Sequence, residues 1–302
     1  MKKVKLFTHT DLDGVGCAIL SQFCFSNIDI TYCNYNDVNN LVLDFINDKK
    51  YELYDKIYIT DVSVNEDIAS KIESISRLKF VLLDHHETAL NLNKFDFCKV
   101  VIQNDNGKVC GTSLFYEELL KLNDEICVAE SFVELVRQYD TWEWTTKYNN
   151  IKPKKLNDLY YLYGRDMFIK NISDKLEFDD HFTFSRQDKL LIDIDSEKRK
   201  AYINKKEATM NIYKILDFNA GVVFAEQYIS ELGNYLVDKY QNKIDVAIII
   251  NDNVISYRSK KANIDAGAIA KQFGGGGHTN SAGSQIDSFK KNMYIKELFN
   301  IK

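Results

Sequence analysis

Apolar and polar positions change rhythm several times along the chain. Over residues 1–105, short apolar runs alternate with amphipathic stretches. VKLFTHT, IDITYCNY, KIYITDVS, KFVLLDHH and KVVIQ read as strands, because they concentrate β-branched and aromatic residues. GVGCAILSQFCF, DVNNLVLDFIND and VNEDIASKIESIS read as the helices between them, with Asp37 and Asn65 as N-caps of the second and third. This rhythm predicts an α/β fold with a mostly parallel sheet flanked by helices. Residues 111–173 predict a helical run, with Asp124 capping DEICVAESFVELVRQYD. Over residues 184–209 the apolar spacing thins and charge rises, which predicts a solvated helix.

A second alternation begins near residue 213. AGVVFAEQYI predicts a strand running into a helix, and KIDVAIIINDNVISYRS a hairpin turning at Asn251–Asn253. IDAGAIAKQF predicts an amphipathic helix with Ile264, Ala268, Ile269 and Phe273 on its apolar face. The glycine-rich GGGGHTNSAGS follows as a loop. The chain therefore divides into an N-terminal domain over 1–183, a helical linker over 184–212 and a smaller C-terminal α/β domain over 213–302.

With 302 residues and 45% hydrophobic content, the chain can bury two cores. No stretch reaches the apolar length of a membrane span, and the N-terminal segment runs straight from charge into a strand, so a cytoplasmic location is expected. All six cysteines fall in the first half without a CxxC pair, which reads as reduced core thiols. The net charge of −5 argues against long duplex nucleic acid as a partner, since that binding needs many basic contacts. A small phosphorylated ligand remains open if positive charge is supplied locally, for example by metal ions.

The candidate chemistry gathers at predicted strand ends, where open parallel sheets bind ligands. His9, Asp11 and Asp13 follow the first strand at every second position, so an extended segment would point them one way. Gly14 would then turn the chain into its helix. Asp61 follows the third strand, Asp84-His85-His86 the fourth, and Asp140 closes a helix. Each motif alone has a bland reading as a cap or a solvated loop. Together they would repel one another unless cations sat among them. Two divalent ions about 3.5–4 Å apart would neutralise them and supply a hydroxide for attack on phosphorus. Carboxylate and imidazole donors suit Mn²⁺, with Mg²⁺ as the alternative. In the C-terminal part, Gly274–Gly277 with His278 reads either as a flexible linker or as backbone amides that hold an anion. Arg258 reads as a phosphate contact or a surface ion pair. Tyr139, Trp142 and Trp144 around Asp140 read as helix-end packing or as base-stacking rings.

In order, HTDLDG, DVS at 61–63, DHH at 84–86 and YDTW at 139–142 resemble the four motifs of the DHH phosphoesterase superfamily. GGGGHTNSAG with YRS upstream resembles the signature of its DHHA1 C-terminal domain, and the first motif is similar to that of the B-type nanoRNases. The resemblance covers nearly the whole chain. It implies a two-domain enzyme with its active site in the interdomain cleft. By motif, it implies that His9, Asp11 and Asp61 hold one divalent ion, and that Asp13, Asp61, His85 and Asp140 hold the other. It implies catalytic work for Asp84 and His86, the latter as phosphate donor or general acid. Arg258, Gly275, Gly276, Gly277 and His278 would grip substrate. The first motif is shorter than in many relatives, so the sharing of Asp11 and Asp13 between ions stays open. The implied activity is metal-dependent hydrolysis of short RNA oligonucleotides or dinucleotides to 5′-mononucleotides. The alternatives are a phosphatase of phosphoadenosine phosphate, a phosphodiesterase of signalling dinucleotides or, least favoured, a non-enzymatic nucleotide sensor. Monomer and homodimer both stay open.

Overall fold

The computed structural model describes residues 3–178 and 181–301. It forms two compact units, Met1–Ile192 and Asp193–Lys302. No helix among the described residues is long and apolar enough to cross a membrane.

The first unit is built on five strands, β1 (Val4–Thr8), β2 (Ile28–Tyr32), β3 (Lys56–Thr60), β4 (Phe80–Asp84) and β5 (Cys98–Val100). Helices α1 (Leu12–Cys24), α2 (Val38–Asn47) and α3 (Glu66–Ser76) provide the first three connections. The sheet order is β2-β1-β3-β4-β5, and every pairing is parallel. Alternation along each strand feeds two cores. Leu6, Tyr58 and Leu83 point to one face, where they join residues of α1 and of α4 (Gly111–Leu120). Phe7, Ile57, Ile59 and Leu82 point to the other, against α2 and α3. Because both faces are covered, β1 is buried along its whole length, Lys5 and Thr8 included.

Several local expectations need correction. Asn65 caps α3, accepting from Ile68 N, but Asp37 makes no such bond at α2 and instead accepts from Asn34 N. The helix expected from Asp124 is split. A 3-10 segment, Asp124–Ala129, is capped by Asn123, and α5 (Glu130–Asp140) starts after it. A two-stranded hairpin, β6 (Gln103–Asn104) and β7 (Gly107–Lys108), had no clear apolar signature in the sequence. The helical run continues through α6 (Glu143–Thr146), α7 (Lys152–Tyr163), α8 (Arg165–Phe178) and α9 (Arg186–Glu207).

The second unit has a six-stranded mixed sheet in the order β12-β13-β11-β10-β9-β8. Its strands are β8 (Asn211–Ile215), β9 (Phe218–Phe224), β10 (Val246–Ile250), β11 (Val254–Arg258), β12 (Gly276–His278) and β13 (Ser281–Gln285). Its helices are α10 (Ile229–Lys239), α11 (Ala266–Gln272) and α12 (Ser288–Leu298). The hairpin β10–β11 turns at the expected Asn251–Asn253. In α11, Ile264 just before the helix and Ile269 are buried as expected, but Ala266 and Ala270 join them while Ala268 faces out. The apolar stripe is thus rotated, because Asp265 caps the helix and sets its first turn. The glycine-rich stretch is also not a loop. It forms β12 and pairs antiparallel with β13.

Phe115 is fully buried on α4 and packs on Tyr58 of β3, ring centroids 5.0 Å apart. Phe115→Ala is expected to destabilise the first unit by about 3–5 kcal/mol, because helix and sheet close only partly over the lost ring. Equilibrium denaturant unfolding checks this.

Candidate metal centre

The site forms at the C-terminal ends of β1, β3 and β4, where strand ends hand the chain to loops. Strand β1 stops at Thr8, and its hydroxyl donates to Gly14 O (2.9 Å). The chain then wraps back on itself. Asp11 is the N-cap of α1 and accepts from Gly14 N, while Asp13 lies in the first helical turn. His9, Asp11 and Asp13 therefore do not converge by strand alternation, as the spacing suggested. A helix start brings them together. Gly14 also has a different role from the expected one, since it sits inside the helix. A Cβ there would lie 2.2 Å from the His9 carbonyl oxygen, so only glycine lets the wrap close.

Asp13 is buried and held by the N-terminus of α4. Its two oxygens accept from Gly111 N (2.6 Å) and Thr112 N (2.8 Å). Two amides and the positive end of a helix suit a carboxylate. The contact demands small residues. A Cβ on Gly111 would meet Asp61 Cβ at 2.5 Å, and one on Gly16 would meet the Thr112 hydroxyl at 2.3 Å. No local pattern in the sequence places Gly111 and Thr112 against Asp13.

Asp61 is buried just past β3 with φ of 59°, a left-handed conformation that aspartate tolerates better than most residues. Its amide donates to Leu83 O (3.0 Å), which fixes the turn. Asp84 ends β4. One of its oxygens accepts from His85 N (2.7 Å) and lies 2.7 Å from His86 Nδ1, and the other accepts from the Ser63 hydroxyl. Both oxygens are thus occupied within the protein. Strand geometry ends at Asp84, so both following imidazoles turn to one side, ring centroids 4.3 Å apart. Tyr35, which the sequence did not single out, places its hydroxyl 3.1 Å from His86 Nε2.

Asp140 comes from the last position of α5. The end of that helix is tied by Arg137, which donates to Lys108 O and pairs with Glu134 and the buried Glu143. This network carries no signal in the sequence beyond an ordinary charged helix face. Trp142 is 61% exposed with φ of 60° and lies against Trp144, so it does not pack into a core.

The structure brings all eight acidic and imidazole candidates into three groups. His9, Asp11 and Asp61 form one, and Asp13, His85 and Asp140 a second, with ligand atoms in each within 4.8 Å of one another. A third joins Asp61, Asp84, His85 and His86. Asp61 links the first two, since its Oδ1 lies 3.2 Å from His85 Nε2. That nitrogen also lies 3.5 Å from Asp140 and 3.6 Å from Asp13. One imidazole nitrogen cannot satisfy three carboxylates. His9 Nδ1 and Asp61 Oδ2 are buried and make no hydrogen bond, although Asp11 Oδ2 is 3.0 Å from His9 Nδ1.

The electrostatics carry the same sign. Burial, then Asp13, Asp11 and Asp140, push the Asp61 carboxyl well up. Burial, then Asp13 and Asp11, push Asp140 up to about 8. Burial lowers His85, which favours its neutral form. The bond to Asp84 raises His86 despite partial burial. Burial pushes Asp84 up, but His86 and Ser63 more than offset it and leave it low. Burial raises the Cys17 and Cys110 thiols, so neither supplies a thiolate. Unpaired buried acceptors, neutral imidazole and oxygen-rich donors fit hard divalent cations.

In the second unit, Arg258 ends β11 and bonds to Tyr257 O and to the Ser230 hydroxyl, both at 2.9 Å. Gly233 of α10 makes room for it, since a Cβ there would meet Arg258 Cγ at 2.7 Å. Arg258 and His278 both pair with Ser281 of β13, from opposite sides, so they share one face of the sheet. Gly275 lies against the Gly283 carbonyl, where a Cβ would sit at 2.1 Å. Gly276 has open space around it, and Gly277 adopts φ of 142°.

Without ions, Asp61 and Asp140 have folded-state pKa values above their unfolded ones. Their contribution to stability is complete below the ordinary carboxylate pKa and is lost as pH rises through the raised values. The chelator-treated protein is therefore expected to melt at lower temperature at pH 9 than at pH 7. Added Mg²⁺ is expected to raise the melting point more at pH 9. Calorimetry at the two pH values checks both signs.

The DHHA1 domain family matches residues 219–300. The oligoribonuclease NrnB of Bacillus subtilis is 34% identical over 304 residues, covering 98% of this chain and 76% of that protein. A 3′,5′-cyclic-nucleotide phosphodiesterase of Helicobacter pylori is 23% identical, covering 99% of both chains. A solved DHH domain, from a protein described as a member of a family of ribosomal proteins, shares the fold with a TM-score of 0.61 at 12% identity, covering 100% of this chain and 87% of that one. With its acid and imidazole groups gathered at the strand ends and this likeness along its whole length, the chain belongs to the DHH/DHHA1 phosphoesterase family.

Proposed function

We propose that the protein hydrolyses short oligoribonucleotides to 5′-mononucleotides with two divalent ions, Mn²⁺ in preference to Mg²⁺. The observation that carries this reading is the convergence of two acid–imidazole groups on Asp61, in a chain 34% identical to an oligoribonuclease. His9, Asp11 and Asp61 would hold one ion, and Asp13, Asp61, His85 and Asp140 the other. When bound, such ions neutralise phosphate charge and make a coordinated water a nucleophile at neutral pH.

The protein's own groups then orient and protonate. Asp84 fixes His86 through Nδ1, so Nε2, which lies 3.1 Å from the Tyr35 hydroxyl, is the nitrogen that would face the phosphate or give a proton to the leaving oxygen, shared between that hydroxyl and the substrate. Asp84 itself acts through His86. We assign substrate contacts in the second unit to Arg258, Gly275, Gly276, Gly277 and His278. The exposed β12 edge, with open space at Gly276, supports close approach of a phosphate to the backbone. The net charge of −5 favours short substrates over long duplexes. Six free cysteines support a cytoplasmic setting. The Helicobacter relative supports a second reading, hydrolysis of a 3′,5′-cyclic nucleotide.

With Mn²⁺ and substrates from two nucleotides upward, the dinucleotide and other short chains are expected to show the highest kcat/KM. Mass spectrometry is expected to find 5′-mononucleotides. Preference for phosphoadenosine phosphate, a cyclic nucleotide or a signalling dinucleotide would move the assignment to that substrate. No turnover of any of them, beside an active control enzyme, would remove the reading. His86→Ala is expected to lower kcat by about 10²–10⁴-fold. Arg258→Ala is expected to act mainly on KM, and steady-state kinetics on the dinucleotide separates the two.

A further inference from the structure

We infer that Tyr35 is a positioning residue for both histidine arms of the site, holding the ring of His86 through its hydroxyl and bracing the ring of His9 with its face. The inference rests on the phosphodiesterase reading above and concerns a residue outside the acidic groups.

Tyr35 lies in the short loop that follows β2, and that loop is tied to the first motif. Cys33 N donates to Thr8 O (2.9 Å), and the Thr10 hydroxyl donates to Asn34 Oδ1 (3.0 Å). Asn34 N in turn donates to Asp37 (2.6 Å), so the backbone carrying Tyr35 is bonded on both sides. From there the ring reaches across two groups. Its centroid is 4.7 Å from that of His9, with the planes at 39°. Its hydroxyl is 3.1 Å from His86 Nε2, and its ring meets His86 edge-on at 5.5 Å. With Asp84 on Nδ1, His86 is held at both ring nitrogens.

The side chain is 55% exposed, so core packing does not account for its placement. Its ring contacts are with the two histidines. A phenol both donates and accepts, so it can hold Nε2 whichever way the proton lies. Tyr35 and His86 also line one cleft with Ser63 and Asp84. The two contacts use different parts of the side chain. Phenylalanine keeps the face against His9 and loses the bond to His86, whereas leucine loses both.

The test compares the full-length wild type with Tyr35→Phe and Tyr35→Leu, after circular dichroism shows that both variants fold. Residues that orient a site from outside it change activity or metal affinity by about 10–100-fold. With Mn²⁺ and a ribodinucleotide, Y35F is expected to lose about tenfold in kcat, with KM within about twofold. Long-range ¹H–¹⁵N spectra of the metal-free protein are expected to show a shifted His86 Nε2 resonance in Y35F and an unmoved His9. Mn²⁺ binding followed by electron paramagnetic resonance is expected to be unchanged in Y35F and about tenfold weaker in Y35L. Wild-type kcat and an unmoved His86 resonance in Y35F would overturn the hold on His86. Wild-type Mn²⁺ affinity in Y35L would overturn the brace on His9. If the wild type cleaves no dinucleotide, the substrate reading fails, while the spectra and the binding experiment still decide the place of Tyr35.

Discussion

The first unit is organised around carboxylates held closer together than like charges tolerate. Asp13 and Asp61 are buried, and Asp140 joins them around a single imidazole nitrogen. Two such charges about 4 Å apart repel by roughly 4 kcal/mol at an effective dielectric of 20. Two bonds from the α4 N-terminus relieve Asp13. Asp61 has no comparable help, and its Oδ2 makes no hydrogen bond. The ion-free protein answers by keeping protons on Asp61 and Asp140. Divalent cations answer the same problem from the other side, so ion binding must compete with protons at these two groups.

The constraint reaches back into the packing. Asp13 can meet the α4 amides only if α1 and α4 approach closely, and that approach runs over Gly16, Gly111 and Thr112. His9 can face Asp61 only if the chain folds back over Gly14. The glycines near the site therefore act by close approach, with no left-handed turn at these three positions. The left-handed residue is Asp61, where the bent backbone brings the carboxylate under both groups. Strain of this kind is tolerated where surrounding bonds over-determine it, and the bond from its amide to Leu83 O is one of these.

Much of this was legible in the sequence. The parallel sheet follows from five apolar runs spaced by amphipathic helices, and the strand-end positions of Asp61 and Asp84 follow from where those runs stop. What was not legible depends on pairs distant in sequence. Asp13 and Gly111 are 98 residues apart, and no local pattern announces their bond. Tyr35 and His86, 51 residues apart, are equally silent. The alternation of His9, Asp11 and Asp13 misled about mechanism, though not about proximity. His9 and Asp11 meet across the N-cap, whereas Asp13, in the first helical turn, faces the α4 amides and His85. The glycine-rich stretch misled because composition says nothing about pairing. Its residues lack side chains to keep strands apart, and Gly275 uses that freedom to lie against Gly283.

The proposed substrate contacts of the second unit start from an ordered backbone. A loose glycine loop would lose conformational entropy on closing around a phosphate. Here β12 is already registered against β13, so Gly276 and Gly277 are ordered before any ligand arrives. Arg258 is likewise held, by Ser230 and by its own strand, in the space that Gly233 leaves open. A guanidinium in place needs little reorganisation to take an anion. The sheet's small residues thus permit close approach, much as Gly14 and Gly111 do in the first unit. In both units the backbone is brought close to a charged group by removing a side chain, and the resulting geometry is set by packing that precedes binding.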